Sequence, residues 1–156
     1  MTGIDARAVV TTLTSRGESV AAAESLTAGL VCATLAEVPG ASAVLRGGLV
    51  VYATELKVSL AGVDPALLAE RGAVHPEVAA QLAAGARRIC GADWGLGLTG
   101  VAGPDPQDGI DPGTAHVGLA GQGVRTTRTL RLSGDRTSIR VASAAAALDL
   151  LREHLR

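Results

Sequence analysis

At 156 residues the chain reads as one domain, long enough to bury a proper core, and its 47% apolar content includes no run of transmembrane length. With 14 basic against 15 acidic residues the formal net charge is −1, the two signs are interleaved, and one Trp, one Tyr and no Phe offer no stacking surface. Nucleic-acid and membrane partners are therefore not expected. Met1–Arg7 shows no secretion signal, and Cys32 and Cys90 are too few for a disulfide framework and lack metal-ligand spacing. Reduced, packed thiols in a cytoplasmic protein are expected.

Asp5–Ser15 predicts a helix, with Ala6, Val9, Val10 and Leu13 on one face and Arg16-Gly17 as its stop. Val20–Ala23 reads as a buried strand that ends in the polar triplet Glu24, Ser25 and Thr27. A helical pattern then runs from Leu30 to Val38 and is closed by Pro39-Gly40. Leu45–Tyr52 reads as a second buried strand, where Gly47 and Gly48 suggest close backbone approach or a bulge. Thr54 is the expected cap of a short helix from Glu55 to Leu60, with Lys57 in its first turn, and Asp64-Pro65 starts another. His75-Pro76 opens a longer helix with Val78, Leu82, Gly85 and Ile89 at helical spacing. Trp94–Thr99 is a third strand in which Trp and Leu alternate with Gly. Asp105–Pro112 should be a surface loop. Thr114–Ala120 and Val124–Leu132 flank Gly121-Gln122-Gly123 as a hairpin, and Asp135 is the expected N-cap of a last helix reaching about His154. The fold class is α/β: a three-layer α/β/α sandwich around a mixed, mostly parallel sheet, with no linker or repeat dividing residues 1–156.

In such a sheet, strand ends converge on one edge, where open α/β folds bind ligands. Polar or glycine-rich clusters recur there: Glu24 to Thr27, Tyr52 with Lys57, Thr99 to Gly103, and Gly134 to Arg140 at the start of the last helix. Ser25 is either a nucleophile or a helix cap. Lys57 is the only lysine in a chain that otherwise uses arginine for its basic residues. A desolvated lysine can shed its proton and arginine cannot, so Lys57 is either a general base, with Tyr52 orienting or relaying the proton, or a solvated amine. Backbone N–H groups around Gly100–Gly103 and after Ser25 offer an oxyanion site. Arg136 and Arg140 suit a phosphate or carboxylate, or else pair with Asp135 or another acid. His75 reads as an exposed residue before a helix, His116 as a strand residue and His154 as part of a fraying terminus. No two histidines have ligand spacing, so no metal site is expected.

The run Ala22-Ala23-Glu24-Ser25-Leu26-Thr27-Ala28-Gly29 resembles the signature A-E-S-C/L-T-G/A-G of the CinA C-terminal domain family. Pro39-Gly40-Ala41-Ser42, Gly47-Gly48, Tyr52 with Lys57 and Gly72-Ala73-Val74 follow in that family's order. Thr99-Gly100-Val101-Ala102-Gly103-Pro104, Gly113-Thr114 and Gly134-Asp135-Arg136 with Ile139-Arg140 complete the set, from about Asp5 to Leu151. Stand-alone members include nicotinamide-nucleotide amidases of the PncC type. The resemblance implies hydrolysis of nicotinamide mononucleotide to nicotinate mononucleotide and ammonia in pyridine-nucleotide recycling, by a serine–lysine mechanism without metal or other cofactor.

Matched by position, Ser25 would be the nucleophile, Lys57 the general base, Tyr52 its hydrogen-bonded partner and Thr99 a residue positioning substrate or serine. Glu24, Thr27, Gly29, Gly100 and Gly103 would border the substrate, and we extend this reading by placing Arg136 or Arg140 on its 5′-phosphate. The chain departs from the family pattern at Ala53-Thr54, where many members have Ser-Asn, and at Ala28, where many have a second glycine. The pyrophosphatase-like module of longer CinA proteins is not expected in these residues. A non-catalytic nucleotide-binding or competence- and repair-associated module is the competing reading, and hydrolysis of another small carboxamide a third. The alanine-rich helix faces lead us to expect a homo-oligomer.

Overall fold

The computed structural model describes residues 6–156, so the Asp5 helix start and the reading of residues 1–5 lie outside the described residues. The elements run α1 (Ala6–Arg16), β1 (Val20–Glu24), α2 (Leu30–Ala36), a 3-10 turn (Ala41–Ala43), β2 (Leu45–Val50), α3 (Thr54–Ser59) and α4 (Pro65–Arg71). They continue with α5 (Pro76–Cys90), β3 (Trp94–Gly100), β4 (Thr114–Gly121), β5 (Val124–Arg131) and α6 (Arg136–His154). One five-stranded sheet has the order β2-β1-β3-β4-β5. β1 pairs in parallel with β2 and β3, while β4 is antiparallel to β3 and β5, so four strands share one direction and β4 alone opposes them. The mixed, mostly parallel sandwich expected from the sequence is the fold observed.

Alternation along the strands assigns the two faces. Val20 and Ala22 of β1, Leu96 and Leu98 of β3, and Val117 and Leu119 of β4 bury against α1, α2 and α6. On the other face Ala21 and Ala23 meet Val78, Leu82 and Ala86 of α5, with Leu68 of α4 and Val58 of α3 beside them. The Trp/Leu–Gly alternation of β3 now has a packing reason. Gly95 and Gly97, with Gly118 of β4, form a floor without side chains, and a Cβ at any of them would collide with the backbone of Ala79 or Ala83 in α5. Helix α5 therefore lies almost on the sheet backbone.

Several boundaries differ from expectation for local reasons. β2 is an edge strand, paired only with β1, and its residues alternate between half-buried and exposed instead of being buried. It stops at Val50, which puts Tyr52 outside the sheet with 56% of its surface exposed. Gly47 and Gly48 lie over the two thiols: Cys90 Sγ sits 3.6 Å from where a Gly47 Cβ would be, and Cys32 Sγ fills the position a Gly48 Cβ would take. Both cysteines are free, and burial, helped by Glu24, pushes the Cys32 thiol up to about 12. Thr54 is the first residue of α3 and not its cap; Ala53 holds that position without a side-chain bond. His75 is half-buried and caps α5, its Nδ1 accepting from Glu77 N–H at 3.1 Å. Asp64 and Asp135 cap α4 and α6 as expected. Among the described residues no helix is long and apolar enough to cross a membrane.

The glycine floor predicts an asymmetry between two Gly→Ala changes. Gly97→Ala should lower the urea-unfolding free energy by about 1–3 kcal/mol through overpacking. Gly47→Ala, whose new methyl meets only ordinary contact with Cys90, should stay within about 0.5 kcal/mol of wild type. Equal stability of the two variants would contradict this packing.

Candidate active site

β1 delivers Ser25 one residue beyond its end, at the carboxyl edge of the parallel strands. The Ser25 N–H donates to Leu98 O at 3.0 Å, which continues the β1–β3 pairing by one rung and fixes the serine backbone. A tight turn follows, with Ala28 N–H donating to Ser25 O, Ala28 at φ 50° and Gly29 at φ 100°. Gly29 is the N-cap of α2 and makes no side-chain cap bond. Neither Ser25 nor Thr27 therefore caps the helix, and the capping alternative for Ser25 is removed.

The Ser25 hydroxyl instead meets Lys57. Lys57 is 2% exposed, and its Nζ lies 2.9 Å from Ser25 Oγ, 2.9 Å from Val51 O and 3.1 Å from Tyr52 O. The residues between the end of β2 and α3 wrap their carbonyls around the amine, while α3 swings its side chain back under the serine. Among the described residues no carboxylate contacts the amine. Burial lowers the Lys57 pKa from 10.5 to about 8, opposed only by the more distant charge of Glu55. The three contacts suit both protonation states. The ammonium donates three bonds. The neutral amine donates two to the carbonyls, which leaves its lone pair facing the Ser25 O–H.

Ser25 and Lys57 open into a cavity of about 400 Å³ that is also lined by Leu26, Tyr52, Val74, Thr99, the stretch Gly100–Gln107 and Arg136. The strand-end clusters at Ser25, Tyr52/Lys57 and Thr99–Gly103 thus converge as expected, with Arg136 from the fourth. Thr99 Oγ1 donates to Ala73 O at 2.7 Å, so its hydroxyl holds the segment before α5 against the site. Tyr52 contributes differently from expectation. Its bond to Lys57 comes from the main-chain carbonyl, and its phenol OH accepts from Arg136 Nη2 at 2.9 Å. Arg136 Nη1 also donates to Gly103 O at 2.6 Å, so this guanidinium bridges two walls of the cavity.

Other expected site residues lie behind the cavity. Glu24, fully buried, points to the opposite face of the sheet and accepts from Val31 N–H at 2.9 Å and Cys32 N–H at 3.1 Å, tying β1 to α2. Thr27 is buried, its Oγ1 has no hydrogen-bond partner among the described residues, and neither it nor Gly29 borders the cavity. Arg140 is outside the cavity too, with Nε donating to Leu26 O at 2.8 Å and Nη2 to Thr27 O at 3.1 Å. The spacing of Arg136 and Arg140 put both on one helical face, but the contacts that separate their roles come from residues more than 30 positions away and leave no local signal. His116 Nδ1 pairs with Thr129 Oγ1, and His154 Nδ1 with Leu150 O. Among the described residues no three His, Cys, Asp or Glu side chains are grouped to hold a metal ion.

The depressed lysine carries a stability signature. Between pH about 8 and 10.5 the unfolded chain binds more proton at this position than the folded one, so stability rises with pH through that window. Relative to Lys57→Met, wild type should gain up to roughly 3 kcal/mol across it, measured by urea unfolding at each pH. A difference that stays flat with pH would contradict the buried, depressed amine.

The model of the CinA C-terminal domain family matches residues 5–155. A CinA-like protein of Frankia casuarinae is 52% identical over 143 residues, covering 92% of this chain and 33% of that protein. The chain spans about a third of the length of the curated relatives it matches. Competence/damage inducible protein CihA from Agrobacterium tumefaciens superposes with a TM-score of 0.92 at 32% identity, covering 99% of both chains. A competence or damage-inducible protein from Enterobacter asburiae gives 0.94 at 30%, covering 97% of this chain and 96% of that one. By its full-length match to the family model and by these relatives, the chain belongs to the CinA C-terminal domain family.

Proposed function

We propose that this chain is a serine–lysine amidohydrolase acting on the carboxamide of nicotinamide mononucleotide. The observation that carries the reading is the 2.9 Å contact between Ser25 Oγ and a buried lysine amine whose pKa is lowered to about 8. A module that only bound a nucleotide would gain nothing from holding its single lysine desolvated and partly neutral near physiological pH.

The chemistry follows from the two protonation states. Neutral Lys57 takes the Ser25 proton as Oγ bonds to the carboxamide carbon, and the carbonyl π electrons move onto oxygen. When that intermediate collapses, the C–N bond breaks and Lys57 gives its proton to the departing nitrogen, which leaves as ammonia. Water then attacks the resulting ester, with Lys57 again taking and returning the proton, and nicotinate mononucleotide is released. Val51 O and Tyr52 O hold the amine in register through both half-reactions. Thr99 keeps the cavity wall in place through Ala73. Arg136, the cationic side chain on the cavity wall besides Lys57, takes the 5′-phosphate, exchanging its Tyr52 hydroxyl partner for a charged one.

The test is ammonia release from nicotinamide mononucleotide. Folded wild type should turn the substrate over with a rate that rises through pH about 8. Ser25→Ala should abolish turnover, and Lys57→Arg should cost about 10²–10⁴-fold in kcat because arginine cannot cycle a proton. Full rate in Lys57→Arg would remove the general-base assignment, and no ammonia from folded wild type would leave a binding module. Arg136→Ala should raise KM for nicotinamide mononucleotide about tenfold or more while leaving nicotinamide riboside, which lacks the phosphate, little changed; equal effects on both would take Arg136 off the phosphate.

A further inference from the structure

Arg140 reaches the serine turn from the side opposite the cavity. It is half-buried on α6, and its guanidinium is taken up by two main-chain carbonyls, Leu26 O and Thr27 O, the first two beyond Ser25. A trans peptide holds its N–H opposite its C=O. The Leu26 carbonyl on Arg140 therefore turns the Thr27 N–H away from α6, and the Ser25 carbonyl, bound by Ala28 N–H, fixes the Leu26 N–H in the same way. These two N–H groups follow directly on Ser25, and among the described residues neither meets a protein acceptor.

Resting on the amidase reading above, we propose that Arg140 is a positioning residue: by holding the Leu26 and Thr27 carbonyls it clamps the turn so that the N–H group of Leu26, which lines the cavity, meets the oxyanion formed when Ser25 adds to the amide carbon. It touches no substrate atom, and its role is distinct from that of Arg136 on the cavity wall.

The experiment uses the full chain with Arg140→Met and Arg140→Lys. Each is assayed for ammonia release from nicotinamide mononucleotide and nicotinamide riboside, and for labelling of Ser25 by an alkyl fluorophosphonate followed by intact mass. In that labelling the Oγ–P bond forms, fluoride leaves with the P–F electron pair, and the hydroxyl proton passes to Lys57. Arg140→Met should lower kcat about 10- to 100-fold on both amides, a loss of the size seen when one oxyanion donor is misplaced. KM should stay within about threefold, the pH midpoint should not move, and labelling should slow by a similar factor. Arg140→Lys, able to reach one carbonyl at a time, should fall between, and it carries the comparison if Arg140→Met does not fold. Labelling at the wild-type rate in the variants would overturn the proposal. So would a rise in KM confined to nicotinamide mononucleotide, which would put Arg140 on the phosphate. Wild type that is labelled at Ser25 yet releases no ammonia ends the substrate assignment alone, and the labelling ratio still decides the role of Arg140; no labelling of wild type overturns both.

Discussion

A lysine amine held out of water, with no carboxylate among the described residues to balance it, is the constraint around which this molecule is arranged. An unpaired buried ammonium is costly, so the protein lowers that cost in two ways: it surrounds Nζ with three oxygen acceptors, and it lets the amine lose its proton near pH 8. The same arrangement faces the amine toward one hydroxyl. What is a penalty for folding is a prerequisite for a base that must accept a proton from serine, and the two cannot be separated by any substitution that keeps the charge permanently on.

The fold supplies this pairing through its layers. Parallel β1, β2 and β3 end at one edge, so the segments that follow them meet over a common cavity. The glycine floor of β3 and β4 lets α5 sit close, and that brings the Ala73–His75 segment before it within reach of Thr99 Oγ1. On the far face Glu24 ties β1 to α2 and Arg140 ties the serine turn to α6. Ser25 is thus bracketed by elements from both helical layers, and the rigidity of its turn comes from side chains that never enter the cavity.

Much of this was legible in the residues. Small apolar runs broken by polar or glycine clusters marked the strand ends, Asp64 and Asp135 marked caps, and the solitary lysine stood out against a background of arginine. What escaped was direction. Grouping Glu24 with Ser25 passed over strand alternation, which sends its carboxylate to the opposite face, where it accepts from Val31 and Cys32 N–H. Tyr52 looked like a strand residue since Val50 and Val51 continue the apolar run; the strand stops at Val50, and the next two carbonyls turn to Lys57. Arg136 and Arg140 share a helical face, and only long-range contacts sort one to the cavity wall and the other to the serine turn. The competence and damage names of the relatives say nothing of this chemistry, which is why the lysine has to be measured in its own right.

Because Lys57 is the only lysine in the chain, protein labelled with ¹³C at lysine Cε gives a single side-chain resonance whose pH titration reports one amine. The account predicts a midpoint near 8 in the folded protein. A midpoint at the ordinary value near 10.5 would mean that the amine is solvated and charged beside Ser25, and the serine–lysine account would not stand.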